Sequence, residues 1–149
     1  MITLRPVDRE NWVACADLAL GDGQEGLVAS NLATIAQSKF EPHFRLRAIY
    51  DDESLVGMLA YCPEDEPENL ELFWLFRLMI DVSHQGKGFG AAAVTLAIDE
   101  MWRLGARRIR TMHKPGNAIA SSLYEILGFE PTGERLEDGD IVRELNLES

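Results

Sequence analysis

Apolar Ile2, Leu4 and Val7, the last lying beyond Pro6, predict a first strand over residues 2–7. Trp12, Val13, Ala16 and Leu20 then recur at helical spacing and predict a short amphipathic helix over 9–20. Gly21-Asp22-Gly23 breaks it, and residues 25–38 predict a second helix. Residues 43–50 and 55–62 read as strands joined by the acidic turn Asp51-Asp52-Glu53-Ser54, with a polar loop over 63–69. Residues 70–82, LELFWLFRLMIDV, show little period-two alternation. A strand covered on both faces has that pattern, so this segment is expected at the centre of a sheet. Residues 88–104 predict a helix with Val94, Ile98, Met101 and Trp102 on one stripe and Gly105 as its stop. A strand over 106–112 and a helix over 117–127 follow, the helix with Asn117 as N-cap and Gly128 as stop. Residues 129–135 and 141–147 close the chain as a hairpin around Glu137-Asp138-Gly139-Asp140. Strands in a meander, followed by strand–helix–strand crossovers, imply an α+β class with a mixed sheet and helices on both faces.

Composition narrows the function without naming it. The 149 residues, 46% apolar with six prolines, suit one packed domain over 1–149, with no repeat or linker to divide it. The longest stretches without Asp, Glu, Lys or Arg, such as 27–38 and 88–98, fall well short of the ~18 residues of a membrane span. Arg5, Asp8, Arg9 and Glu10 precede any apolar run, so no signal peptide is expected. Twenty-five acids against fourteen bases disfavour nucleic acid as a partner. They suit a cationic partner, and equally a merely soluble protein. Cys15 and Cys62 form no metal or redox spacing and read as reduced core residues of a cytoplasmic protein.

The most informative stretch is Asp81-Val82-Ser83-His84-Gln85-Gly86-Lys87-Gly88-Phe89-Gly90, where a strand ends, glycines alternate and a helix begins. Glycines let successive main-chain N–H groups curl toward one concavity, and a helix N-terminus adds unpaired N–H groups and partial positive charge. Such a turn binds a diphosphate, with Lys87 able to add charge. A Walker-type loop requires glycine where Asp81 stands and a hydroxyl residue where Gly88 stands, so that reading fails. A dinucleotide fingerprint, Gly86-x-Gly88-x-x-Ala91, lacks the acid it needs within 107–114. A plain strand-to-helix connection is the remaining local alternative.

The pattern Gln85-x-x-Gly88-x-Gly90 resembles the pyrophosphate-binding motif of the GNAT acyltransferase superfamily. Arg77-Leu78-Met79-Ile80-Asp81 upstream and Asn117-x-x-Ala120-x-x-Leu123-Tyr124-x-x-Leu127-Gly128-Phe129 downstream also match, so the likeness covers 77–129. The resemblance implies a central, mostly antiparallel sheet of about seven strands, about four helices and two splayed central strands. It implies acetyl-CoA as co-substrate and no metal. Leu78, Met79 and Ile80 would offer main-chain groups to the pantetheine arm. The amides of Gln85, Gly86, Lys87, Gly88, Phe89 and Gly90 would hold the pyrophosphate, while Asn117, Ala120 and Ser121 would flank the cofactor. The side chains of Phe89 and Phe129 read as packing. A homodimer is a common state in that family.

Acyl transfer to an amine needs a neutral nucleophile, a polarised carbonyl and a protonated leaving thiolate. An alkylamine with a pKa of ~10.4 is neutral in only about one molecule in a few thousand at pH 7, a deficit of ~4–5 kcal/mol. By the resemblance Tyr124 is the acid for the departing sulfur, and a main-chain N–H near Met79 meets the oxyanion. Glu71, Glu25 and Glu66 are candidates for the base by location, and Arg77 is expected to pair with a buried acid such as Glu71. His43, His84 and His113 show no spacing for a metal or a triad and receive no role. The segments 77–90 and 128–134, with Gln24 and Val28-Ala29-Ser30-Asn31, resemble the bacterial spermine/spermidine or diamine branch. Glu64, Asp65, Glu66, Glu68 and Glu71 would then favour a polycation. An aminoglycoside or protein N-terminal amine as acceptor, and a domain that binds CoA without turnover, stay open beside it.

Overall fold

In the computed structural model, which describes residues 1–20 and 30–148, the apolar segment becomes the hub of a seven-stranded sheet. The strands are β1 (Ile2–Pro6), β2 (Arg45–Asp51), β3 (Ser54–Asp65), β4 (Glu68–Ile80), β5 (Arg108–His113), β6 (Glu130–Arg135) and β7 (Ile141–Asn146). Their spatial order is β1-β2-β3-β4-β5-β7-β6, and only the β4–β5 pair is parallel. The helices are α1 (Trp12–Ala16), α2 (Asn31–Ser38), α3 (Phe89–Arg103) and α4 (Ala118–Ile126), with a 3-10 turn over Val82–His84. Fold class, element order and the central position of β4 agree with the expectation.

Alternation along the strands divides the core between two faces. Ile49 and Leu59 join Phe73, Leu75, Val94, Met101 and Ile109 in the larger cluster, which α3 and α4 cover. Ala48 and Met58, one residue out of step, point the other way into a smaller cluster with Cys15, Val7 and Ile35 under α1 and α2. Burying a side chain such as Met101 fully stabilises the fold by about 1.5–3 kcal/mol. A polar clasp ties α3 to the sheet: Glu100 Oε1 accepts from Tyr61 Oη at 2.7 Å and Arg47 Nε at 2.9 Å.

Several boundaries differ from the pattern. The first helix has five residues rather than twelve, and its buried member is Cys15, whereas Trp12 and Val13 are exposed. Ser30 caps α2 by accepting from Ala33 N at 3.0 Å. The glycine break at 21–23 and the start of that helix at 25 lie outside the described residues. The expected loop 63–69 is the tip of the β3–β4 hairpin, where Glu64 pairs with Asn69 and Asp65 with Glu68. Its polar residues sit in an exposed ladder that has no apolar face to mark it. Trp102 is half exposed beside Arg107 and does not complete the buried stripe of α3. Both cysteines are free, Cys15 buried and Cys62 partly so. Among the described residues no helix is long and apolar enough to cross a membrane.

Gly57 on β3 lies against the last turns of β4. A Cβ there would stand 2.4 Å from Met79 O and 2.9 Å from Ile80 Cδ1. Gly57→Ala is therefore expected to lower stability by about 1–3 kcal/mol through overpacking. Chemical denaturation measures it, and an unchanged midpoint would show that β4 yields freely.

Candidate active site

Strand β4 pairs with β3 at its start, over Glu68–Asn69, and again from Phe73 to Ile80, but with β5 only over Leu72–Leu75, the last partners being Leu75 and Thr111. The register against β3 jumps from Ala60↔Arg77 to Tyr61↔Leu75, leaving Phe76 as a bulge. Beyond it β4 turns from β5, while Thr111 Oγ1 donates to Leu75 O at 2.8 Å and closes the vertex. The expected splay is thus present. Main-chain groups alternate in direction along a strand. Asp81 N donates to Val56 O on β3, and Ile80 O accepts from Gln85 Nε2 on the opposite edge. That alternation turns the main-chain groups of Leu78 and Ile80 toward the gap and those of Met79 toward Met58. Of the expected trio, the Met79 amide therefore faces β3, while the Leu78 and Ile80 amides face the gap.

Below the gap lies the glycine turn. Gly86 (φ 79°) and Gly88 (φ 80°) take the left-handed conformation, which bends the chain so that its amides face one side. Among the described residues, the N–H groups of Gly86, Lys87, Gly88, Phe89 and Gly90 have no acceptor. These are the donors at the N-terminus of the fifteen-residue α3. The Gln85 side chain stitches this turn to the end of β4. Asp81 anchors its near end, accepting from Ala19 N at 2.8 Å and from Ser83 N and Oγ. Those hydrogen bonds, Ala19's foremost, hold the Asp81 carboxyl below the usual range.

One cleft of about 730 Å³ joins the gap to the turn. It is lined by Leu78, Met79, Ile80, Gln85, Gly86, Gly88, Phe89, Gly90, Asn117, Ala120 and Tyr124, all expected there. Asn117 also caps α4, its Oδ1 accepting from Ala120 N at 3.1 Å. Tyr124 is 4% exposed, its hydroxyl beside Thr111 at the vertex. Burial pushes its phenol pKa up, and the Thr111 contact opposes this only in part.

Other expected residues stand elsewhere. Glu71 is exposed and outside the lining, five residues before Phe76, or roughly 17 Å along an extended strand. Its end of β4 is the closed one, where Arg107 N donates to Glu71 O at 2.7 Å. The acids 64–68 lie farther still, at the hairpin tip. Glu25, with Gln24, Val28 and Ala29, is outside the described residues. Lys87 is exposed beyond the lining, and Ser121 turns from the cleft to accept from Arg143 Nη2 at 3.0 Å. Arg77 does not meet Glu71: its Nε donates to Thr34 Oγ1 at 2.7 Å and Nη1 to Phe76 O at 3.1 Å.

Sequence reasoning missed Thr111, His113, Lys114, Asp138 and Asp140, which also line the cleft. His113, given no role, is buried beside Tyr124 with ring centroids 6.4 Å apart. It accepts from Arg143 Nε at 3.0 Å through Nε2. The Asp138-Gly139-Asp140 signal was visible, but only as a turn. Among the described residues no group of three or more His, Cys, Asp or Glu is placed to hold a metal.

A parted parallel pair of strands and a run of amides without acceptors thus share one cleft. A profile of the Acetyltransferase (GNAT) family matches residues 8–129, and the chain belongs to that family. Acetyl-CoA is the family's acyl donor. The spermine/spermidine N(1)-acetyltransferase of Bacillus subtilis is 29% identical over 150 residues, covering 97% of this chain and 99% of that protein. The PaiA N-acetyltransferase of Thermoplasma acidophilum, solved with coenzyme A, superposes with TM-score 0.73 at 18% identity, covering 98% of this chain and 99% of that one. An aminoglycoside acetyltransferase, also solved with coenzyme A, gives TM-score 0.81 at 17% identity, with 98% and 95% covered.

The Asp81 carboxyl has a folded pKa below its unfolded value near 3.9, so its contribution to stability is complete above about pH 4. It is lost as pH falls through the folded value. Asp81→Asn should therefore lower the melting temperature at pH 7 and flatten its decline with acid. Parallel melting curves for the two proteins from pH 7 to pH 2 would exclude this role.

Proposed function

We propose that the protein transfers the acetyl group of acetyl-CoA directly to a primary amine, a polyamine such as spermidine or spermine. The observation that carries the reading is one continuous cleft. It runs from the unpartnered amides at 86–90, along the freed edge of β4, to the buried hydroxyl of Tyr124.

The residues divide the work by chemistry. The amides of Gly86 to Gly90 bind the diphosphate at a helix N-terminus, where the dipole favours negative charge. The outward main-chain groups of Leu78 and Ile80 pair with the amides of the carrier's arm. The Leu78 N–H donates to the carbonyl oxygen as it gains charge. Asn117 and Ala120 border the arm from α4. Tyr124 gives its proton to the departing thiolate, and burial keeps the phenol protonated until it is needed. The acceptor reading draws on the printed name of the Bacillus relative and on the excess of 25 acids over 14 bases. Free cysteines without partners suit a reducing cytoplasm.

Tyr124→Phe is expected to lower turnover about 10²- to 10⁴-fold while leaving coenzyme A binding nearly intact. Thiol release with acetyl-CoA and spermidine measures the first and a thermal shift with coenzyme A the second. Undiminished turnover would remove Tyr124 as the acid. Tight coenzyme A binding without thiol release across a panel of amines would favour a non-catalytic domain. Because burial raises the phenol pKa above its ordinary ~10, loss of its protonated form should not depress kcat below about pH 10. A kcat that falls between pH 7 and pH 9 in the unaltered protein, and not in Tyr124→Phe, would contradict the assignment.

A further inference from the structure

The acceptor needs a carboxylate, and Glu71 is not at the cleft. Among the described residues, the acidic ones lining it are Asp138 and Asp140. Asp138 is exposed, and its Oδ1 accepts from Asp140 N at 3.0 Å. The Asp140 side chain is only 15% exposed. Its one side-chain partner among the described residues is Lys114 Nζ, at the long distance of 3.5 Å. A carboxylate offers about four acceptor sites, so a largely desolvated one with a single distant donor has room for another cation.

Register places this group on the side from which an acceptor must come. Thr111 and His113 on β5 look toward Tyr124 and α4, so Met112 and Lys114 look the other way. Ile141 pairs with His113, which sets Asp140 level with Lys114. Arg77 lies on that same side, bonded to Thr34 of α2. The amide cradle and Tyr124 thus belong to the α3–α4 side, and Asp140 faces them across the parted strands. Among the described residues, the charged groups facing Asp140 are Lys114 just past β5, Arg77 from β4 and Asp138 from its own hairpin. His113 looks away, held by Arg143.

We propose that Asp140 is the carboxylate that receives the acceptor's ammonium group and takes one of its protons, so that the nitrogen attacks as a neutral amine. This rests on the amine acetyltransferase reading above. The N–C bond forms while the C–S bond breaks. One ammonium proton passes through Asp140 to solvent. Tyr124 protonates the thiolate and is restored by the second proton that the nitrogen loses. Lys114 neutralises Asp140 while no amine is present and gives way to the incoming cation.

The test is steady-state kinetics with spermidine on the full chain, from pH 6 to pH 10.5. Asp140→Asn should lower kcat/KM for the amine about a hundredfold at pH 7, with coenzyme A affinity unchanged. The deficit should shrink as pH approaches the amine's own pKa of ~10.4, where solution supplies the neutral form. Asp140→Glu should recover part of the loss. Lys114→Met should act oppositely, lowering KM for the amine about two- to fivefold by removing the competing cation. A wild-type kcat/KM and pH profile in Asp140→Asn overturns this assignment alone. Should that variant not fold, an unchanged or raised KM in Lys114→Met overturns it, and a lowered one supports it. No transfer to any amine by the unaltered protein overturns the transferase reading and this assignment together.

Discussion

Strand β4 is paired with β3 from Phe73 to Ile80, apart from the bulge at Phe76, but with β5 for only four residues, and the opening of the cleft follows from that asymmetry. Interrupted pairing is costly, since each buried main-chain polar group left without a partner costs about 1–3 kcal/mol. The fold contains the cost locally. Phe76 is the extra residue that lets β4 keep its register with β3 while turning from β5. Thr111 supplies a side-chain donor to Leu75 O, and Gln85 does the same for Ile80 O. The outward groups of Leu78 face a cleft that water or an extended amide-bearing arm can fill. Gly57 lets β4 lie close against β3 on the opposite edge, where a Cβ would stand 2.4 Å from Met79 O.

The same parting separates two chemical environments. On the α3–α4 side the donors are main-chain amides and the buried phenol of Tyr124. On the α1–α2 side stand Arg77, Lys114 and Asp140, formal charges within a half-buried wall. Asp81 links the two sides, because its carboxylate accepts from Ala19 N while Val82 N donates to Ala19 O. The segment after α1 is thereby tied to the phosphate turn, so that the acceptor side and the carrier side are not free to move independently there.

How much of this was readable in advance depended on the range over which each signal acts. The glycine turn, the Asn117 cap and the uninterrupted apolar run of β4 are local, and each stands close to where its pattern put it. Glu71 shows the limit. Its sequence places it on the central strand, but which end of that strand opens is decided by a bulge opposite Tyr61 and by where β5 stops pairing. Neither is written in the strand itself. Asp140 shows the converse, since Asp-Gly-Asp carries strong turn chemistry that masks any second role. Only the register of β7 against β5 brings it level with Lys114. Arg77 was legible as an anomaly, a lone cation in an apolar strand. Its partner proved to be a threonine on a helix more than forty positions away.

The remaining histidine can be followed from its hydrogen bonds alone. Arginine nitrogens only donate, so Nε2 of His113 must accept from Arg143; a carbonyl only accepts, so Nδ1 must donate to Lys114 O at 3.0 Å. Both ring nitrogens are engaged, and no lone pair is left for an ammonium proton. Arg143 in turn donates to Phe129 O and Ser121 Oγ, joining β7 and β5 to α4 and to the segment that follows it. Among the described residues no carboxylate pairs with this buried cation, and it lies beside the helix carrying Tyr124. The imidazole is thereby withheld from proton transfer, which leaves the Tyr124 phenol and the Asp140 carboxylate as the titratable groups of the proposed reaction. The phenol stands on one side of the parted strands and the carboxylate on the other.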